Sequence, residues 1–235
     1  LMTSNNIHRF IGNLIDYCDF FVHTWNVRSE TSSDLILANT IIIESPDLFQ
    51  KWKVLYNPKV FVVEDYYEYL SNTTILKRIE PLFYSLRKSN EYRNEYSEKT
   101  NTQYDFVVKL RPDSLFNPNH KLIDEINSIL KSDFKNTIYT LDWGDVSKFN
   151  KFEDCIWIAH PHIFDIAVDF WKKRAEINIG DWQTQMGDYL IAKNIKFQKF
   201  FHYNDFIPYK WSTYYSGITV EDYDSNWDKI KYGLI

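Results

Sequence analysis

The chain has few of the residues that several large classes of protein require. Its 235 residues include only 2 cysteines, Cys18 and Cys155, which lie far apart and match no zinc-site spacing. We therefore expect buried free thiols in a reducing compartment, the cytoplasm. Only 6 glycines are present, and the motifs of dinucleotide oxidoreductases, P-loop ATPases, serine hydrolases and zincins are missing. The sequence gives no support to those four chemistries.

Long apolar runs and concentrated positive charge are missing as well. The longest apolar segment, at 35–43, is interrupted by Asn39 and Thr40 and is too short to cross a bilayer. Residues 1–6 do not resemble a signal peptide. The net charge is -5 and the lysines and arginines are scattered, which argues against a nucleic-acid partner. We expect a soluble protein without an integral membrane segment.

Aromatic residues, in contrast, are abundant. Tyr, Phe and Trp together make up 18% of the chain, more than a core of this size requires. Most of these rings are expected to pack in the core or on the surface. Because flat rings with a polar edge also suit the faces of sugars and bases, we expect some of them to contact a ligand.

Apolar patterns predict strands and helices in alternation. Strands are predicted at 19–25, 59–64, 106–110, 137–142, 155–159 and 195–201, and helices at 75–99, at 122–130, from Pro161 and from Asp181. Pro81 either kinks the first helix or marks its true start. Because no repeat or flexible linker interrupts this order, we expect one α/β domain over 1–235, ending in an irregular aromatic tail at 206–235.

The strand at 106–110 leads directly into Arg111, Pro112 and Asp113. Its apolar, β-branched residues are typical of a strand covered on both faces in a parallel sheet. Ligands of open α/β sheets bind beyond the carboxyl ends of the strands, which predicts that Arg111 and Asp113 face the substrate. Asp113 would suit a divalent cation, which prefers oxygen ligands. The alternative is an Arg-Asp pair that only caps the strand, and three residues do not decide between the two.

A second polar cluster, His23 to Asn26, ends the first predicted strand. The indole of Trp25 could stack on a base or sugar, while His23 and Asn26 could bond a ribose or a phosphate. Equally, His23 and Trp25 could alternate between core and surface in an ordinary strand.

Two further groups of polar residues precede or follow predicted strands. Asp154 comes directly before the strand at 155–159, where a carboxylate could take the proton of an acceptor hydroxyl. Asp142 and Asp145 fit better as turn residues that bond their own backbone. His202 follows the last predicted strand and could donate a nitrogen to the metal held by Asp113, although a lone histidine is more often a surface or core residue.

The segments at 19–26, 58–64, 85–90 and 104–113 resemble those of small GT-A-type glycosyltransferases of large DNA viruses and of bacterial surface-polysaccharide loci. The resemblance covers about residues 8–205. It implies a Rossmann-like α/β domain with a central, mostly parallel sheet flanked by helices. A departure is that Gln183 and Gln185 stand where the family often has an acidic residue, which favours Asp154 as the catalytic carboxylate.

The resemblance also implies site residues. In such enzymes a variant Asp-x-Asp motif at the end of a central strand binds Mn²⁺ or Mg²⁺ together with the diphosphate of a nucleotide sugar. The match gives that role to Asp113, with Arg111 close by. The motif here has one Asp where two are common. Lys88 or Arg111 would stabilise the charge that develops on the leaving diphosphate. A carboxylate at Asp154 would complete an inverting displacement, and without one a retaining route stays open.

The implied function is the transfer of a hexosyl or deoxyhexosyl group from a nucleotide-diphosphate sugar to a glycan or another hydroxyl acceptor. Two alternatives stay open. One is a carbohydrate-binding or inactive domain that keeps the fold and the aromatic residues. The other is a metal-dependent nucleotidyltransferase, which would usually show a glycine-rich loop and a lysine at the nucleotide end.

Overall fold

The structure is a computed structural model. It describes residues 7, 9–29, 41–73, 80–111, 115–116, 121–132, 134–142, 152, 156–173, 176, 182–202 and 206–207. At 28–29, 41–42, 115–116, 141–142, 201–202 and 206–207 only the backbone is described. The predicted tail at 206–235 falls outside the described residues except for its first two.

Strands and helices alternate along the described chain. The strands are β1 (Phe21–Trp25), β2 (Val27–Ser29), β3 (Ile41–Ile43), β4 (Val60–Glu64), β5 (Val107–Leu110), β6 (Leu115–Phe116), β7 (Thr137–Asp142), β8 (Ile156–Ala159), β9 (Lys196–His202) and β10 (Phe206–Ile207). The α-helices are α1 (Pro46–Tyr56), α2 (Tyr66–Asn72), α3 (Glu80–Thr100), α4 (Leu122–Ile129), α5 (Pro161–Val168) and α6 (Trp182–Ala192). Short 3-10 helices cover Gly12–Tyr17, Phe134–Asn136 and Asp169–Lys173.

This order confirms the α/β class and the positions of the predicted strands. The question raised by Pro81 is also answered, since α3 begins at Glu80 and Pro81 lies in its first turn. A proline is tolerated there because the first N–H groups of a helix have no partner within the helix. Within the described part of the chain, no helix is both long enough and apolar enough to cross a membrane.

The sheets differ from the expectation of one central, mostly parallel sheet, which is not confirmed. The largest sheet among the described residues has the order β5-β8-β7-β9 and is mixed, because β8 is antiparallel to both neighbours while β7 and β9 are parallel. The strands β1 and β4 form a separate parallel pair. β5 is half-buried rather than fully covered. Antiparallel pairs β2–β3 and β6–β10 complete the described sheets.

The core is built on both faces of β8, whose four residues are all buried. Because side chains alternate along a strand, Ile156 and Ile158 join one apolar cluster, with α4 and the residues before β1. Trp157 and Ala159 join another cluster, with α5 and α6 on the opposite face. Helices therefore cover both faces of the larger sheet, which is the layering that an α/β fold requires.

Helix α3 lies across β1 and runs in the opposite direction. Tyr84, near its start, stacks on Trp25 at the end of β1, with ring centroids 5.4 Å apart. Further along, the backbone N–H of His23 donates to Ser89 at 3.1 Å. Tyr96 then contacts Phe21 at the start of β1. A strand followed by an antiparallel helix is the usual unit of an α/β fold.

Candidate functional site

The packing of the helices fixes the relative directions of the strands. Helix α5 starts near the second half of α3, where Asp165 accepts from Asn94, and its 3-10 extension ends near Tyr84 through Trp171. α5 is thus antiparallel to α3. It packs on β8 after a single connecting residue, so it must also run opposite to β8. It follows that β8 runs opposite to β1, whereas β5, β7 and β9 run in the same direction as β1.

The carboxyl ends of β1, β4, β5, β7 and β9 therefore face the same side of the molecule, which we call the carboxyl edge. β1 ends at Trp25, opposite Glu64 of β4. In the larger sheet Leu110 of β5 pairs with Ile156, the first residue of β8, and Asp142 of β7 pairs with His202 of β9. The predicted site residues on these strands thus belong to one edge. Asp113 and Asp154 lie outside the described residues.

His23 is buried in a polar cluster at this edge. Its side chain is 0% exposed, and its Nε2 lies 3.4 Å from Oε1 of Glu64, a close contact that is poorly aligned as a hydrogen bond. Oε2 of Glu64 accepts a hydrogen bond of 2.9 Å from the hydroxyl of Tyr84. Burial lowers the pKa of His23, and the nearby carboxylate of Glu64 only partly opposes this. His23 is therefore a neutral, enclosed residue near physiological pH.

Burial also changes the pKa of Tyr84. Loss of water around the phenol, followed by the bond to Glu64, raises it. The hydroxyl therefore stays protonated and donates to the carboxylate. This bond fixes the side chain of Glu64, which is 29% exposed at the end of β4.

Trp25 is enclosed by tyrosines rather than open to solvent. It is 8% exposed. Its ring stacks on Tyr84 and makes tilted or edge contacts with Tyr66 and Tyr69. The predicted stacking on a ligand would need this cluster to rearrange, and a nucleotide-binding role for Trp25 stays a prediction.

Asn26 links the ends of β1 and β4. Its Nδ2 donates to Oδ2 of Asp65 at 2.7 Å, and its Oδ1 accepts from the backbone N–H of Tyr66 at 3.1 Å. Asp65 is the N-cap of α2, because its Oδ1 accepts from the N–H of Glu68 at 2.8 Å. Both ends of the Asn26 amide are thus engaged within the protein. Its predicted contact with a nucleotide stays a prediction.

Lys88 lies on the face of α3 that adjoins the carboxyl edge. Its ammonium group is 5.9 Å from the ring centroid of Tyr84, and the guanidinium of Arg87 is 5.4 Å from the same centroid. Both cations also contact Glu91, which lies about one turn further along the helix, four residues after Arg87 and three after Lys88. Two cations and one carboxylate leave one net positive charge at this point of the helix.

The remaining predicted residues are placed less completely. Arg111 is half-buried directly after β5. His202 is the last residue of β9, and only its backbone is described. Among the described residues, no group of three or more His, Cys, Asp or Glu side chains is arranged to hold a metal ion.

Sequence reasoning missed Glu64, Tyr84 and Arg87. Glu64 ended a predicted strand, so the rule that polar residues follow strands could have found it. Tyr84 could have been found from its spacing, because residues three and four apart share one face of a helix and Tyr84 stands in that relation to Arg87 and Lys88.

No protein-family model matches the chain, and neither a curated protein nor a solved structure shows significant similarity to it.

Proposed function

We propose that the protein is a glycosyltransferase that moves a sugar from a nucleotide-diphosphate donor to a hydroxyl acceptor. The observation that carries this proposal is the carboxyl edge. Strand directions inferred from the packing bring five strand ends and the start of β8 to the same side of the molecule. Of the residues that the sequence marked for substrate, the described ones lie in or directly after these strands or on α3 beside them: His23, Trp25, Asn26, Lys88, Arg111 and His202. Active sites of open α/β folds form at such edges.

The GT-A-like arrangement is part of this proposal. β1 and β4 would continue the larger sheet on the side of β5, giving a mostly parallel sheet with β8 as its antiparallel member. A link between the two sheets supports this, because the hydroxyl of Tyr104, just before β5, donates to Oδ2 of Asp19, just before β1, at 2.7 Å.

Asp113 and His202 would hold a Mn²⁺ or Mg²⁺ ion. An oxygen ligand from Asp113 suits either ion, and His202 would add a nitrogen. The pairing of His202 with Asp142 also brings a second carboxylate residue to that strand end. When bound, the ion would neutralise charge on the diphosphate.

The protein's own side chains supply the other parts of the reaction. Arg111, directly after β5, and Lys88, on α3, would stabilise the negative charge of the leaving diphosphate. Ile156, the first residue of β8, pairs with Leu110, the last residue of β5. Asp154 comes two residues before Ile156 in the sequence and Arg111 directly follows Leu110, so we infer that the two are close. Asp154 would take the proton of the acceptor hydroxyl.

Ligand-induced stabilisation tests the donor and the metal together. Thermal unfolding should be followed with uridine and guanosine diphosphate sugars, with and without Mn²⁺. A ligand at a hundredfold excess over its Kd stabilises the fold by about 2.7 kcal/mol. We expect stabilisation that needs Mn²⁺ and is lost in Asp113→Ala. Asp105→Ala is the matched control, because Asp105 is an exposed carboxylate before the opposite end of β5.

The other outcomes identify the alternatives. Stabilisation by free oligosaccharides and by no nucleotide sugar would indicate a carbohydrate-binding domain. Stabilisation by nucleoside triphosphates alone would indicate a nucleotidyltransferase. For the base, turnover retained in Asp154→Asn would remove that assignment, and Asp124→Asn, an exposed change on α4, is its control.

A further inference from the structure

A groove runs between α3 and α5, next to the part of α3 that carries Lys88. It is a half-open depression with a volume of about 450 Å³. Its polar lining comes from both helices and from the 3-10 helix after α5 and includes Arg87, Asn90, Glu91, Asn94, Asp165 and Asp169. We call it the α3–α5 groove.

The floor of the groove is held in a single arrangement by three hydrogen bonds to one oxygen. Oδ1 of Asp165 accepts from Arg93 at 2.6 Å, from Asn90 at 2.8 Å and from Asn94 at 3.1 Å. Arg93 in turn donates from its Nε to Asn90. The other carboxylate oxygen, Oδ2, receives no hydrogen bond from the described residues, and the side chain is 39% exposed. A rigid acceptor thus faces the groove.

The charges of the groove disfavour an ionic ligand. Each cation that lines it already holds a carboxylate, Arg87 with Glu91 and Lys172 with Asp169 at 2.8 Å. Asp165 is paired in the same way, with Arg93 at 2.6 Å, so every carboxylate of the lining is held in an ion pair. A phosphate would have to separate existing ion pairs and would then meet like charges, which costs several kcal/mol.

We propose that the α3–α5 groove binds a neutral, hydroxyl-rich ligand, a short oligosaccharide. Each sugar hydroxyl both donates and accepts a hydrogen bond. The carboxylates of Asp165, Glu91 and Asp169 would accept from such hydroxyls, and the amides of Asn90 and Asn94 could do either. Hydrogen bonds to charged groups are the stronger ones, so a neutral polyol gains from these carboxylates without the repulsion that an anion meets.

The groove begins beside the carboxyl edge. Arg87 lies over the ring of Tyr84, and Trp171, which also lines the groove, is 6.2 Å from that ring. Tyr84 bonds Glu64 at the end of β4. A chain of sugars in the groove would therefore extend toward the proposed reaction centre. This use, as the subsite for the acceptor chain, rests on the proposed function, whereas the binding of sugar does not.

Nuclear magnetic resonance titration of the full chain tests the proposal. The probes are maltotriose, cellotriose, chitotriose and lactose, with uridine diphosphate as the anionic comparison. We expect at least one oligosaccharide to shift the side-chain amide signals of Asn90 and Asn94. Glu91→Ala and Asp169→Ala should each weaken that binding about tenfold, as expected for the loss of one hydrogen bond to a charged group. Glu98→Ala, an exposed change two turns further along α3, should leave it unchanged.

Three results would overturn the proposal: no probe sugar shifts these amides, binding is the same in both groove variants, or uridine diphosphate produces the same shifts as the sugars. The outcome is distinguishable from that of the proposed function. Nucleotide-sugar binding that depends on Asp113 and survives Asp169→Ala reports on the carboxyl edge alone.

Discussion

The interaction between Asp165 and Arg93 offers the sharpest test of the structure. Arg93 is buried on α3, with 8% of its side chain exposed, and Asp165 on α5 is its carboxylate partner. Replacing Asp165 with alanine leaves the guanidinium buried without a counter-charge and removes the acceptor of two asparagine amides. The contact joins two helices that cover different sheets, so its loss should lower the stability of the whole fold.

The magnitude follows from the burial of the two partners. Breaking a fully buried pair by removing one member costs about 3–5 kcal/mol. Asp165 is more than a third exposed, so water can enter the vacated position and partly hydrate Arg93. We therefore expect Asp165→Ala to lower the free energy of unfolding by about 2–3 kcal/mol. For a chain of this size that corresponds to a fall in Tm of about 4–12 °C.

Urea denaturation followed by circular dichroism measures this change. The dependence on urea should keep its slope, since little surface changes on mutation. Asp165→Asn keeps an acceptor oxygen, so its free energy of unfolding should fall by about half as much as that of Asp165→Ala. The matched control is Asp169→Ala, which removes an exposed ion pair with Lys172 and should cost less than about 0.5 kcal/mol. If Asp165→Ala were no less stable than Asp169→Ala, the proposed bridge between α3 and α5 would be wrong.

Three further predictions concern other parts of the fold. Because burial lowers the pKa of His23, the unfolded chain binds more protons than the folded one below about pH 6.5, and the free energy of unfolding should fall as the pH drops through that value. Denaturation at about pH 7.5 and about pH 5.5 should show a smaller fall in His23→Gln than in the wild type. Tyr104→Phe removes a hydrogen bond to the carboxylate of Asp19 and should lower the free energy of unfolding by about 1.5–3 kcal/mol. An unchanged midpoint of urea denaturation would contradict the link between β1 and β5. Asn57→Ala should cost about 1 kcal/mol and Asn57→Gly almost nothing, because Asn57 ends α1 with φ 41°; equal losses in thermal unfolding would contradict that left-handed backbone.

Six strands and four helices were predicted from local patterns, whereas α1, α2, β2, β3, β6 and β10 were not predicted. The predicted strand at 137–142 coincides with β7, and the helix predicted from Pro161 begins at that residue. Apolar periodicity and a proline at the first helical position are read within a few residues of each other. The structure confirms these elements to within a residue or two.

The pairing of the strands was not predictable in the same way. β5 pairs with β8, about 50 residues further along the chain. The apolar, β-branched sequence of β5 is equally compatible with a parallel or an antiparallel neighbour. The direction of β8 is set by its pairing with β5 and β7, and the helix that follows it contacts α3 through residues far apart in the chain, such as Asp165 and Arg93. No local pattern contains that information.

The accessibility of His23 and Trp25 was unpredictable for a related reason. Side chains alternate along a strand, so both residues lie on one face of β1. Which face is covered depends on α3, which begins 55 residues after Trp25 and places Tyr84 and Ser89 against it. His23 and Trp25, whose residue types suggested a ligand site, are thus enclosed by α3, a helix distant in the sequence.

The candidate site shows a more general ambiguity, because the carboxyl end of a strand in an α/β fold is also where the next helix begins. That helix needs side-chain acceptors for its first N–H groups, and a phosphate or metal site at the same place needs the same residue types. Asp65 and Asn26 show the first use, since one caps α2 and the other joins the cap to β1. Sequence cannot separate capping from catalysis, because both place Asp and Asn directly after strands. Substitution can, since loss of a capping Asp lowers stability by about 1 kcal/mol, whereas loss of a catalytic Asp at 113 or 154 should lower ligand binding or turnover and leave unfolding nearly unchanged.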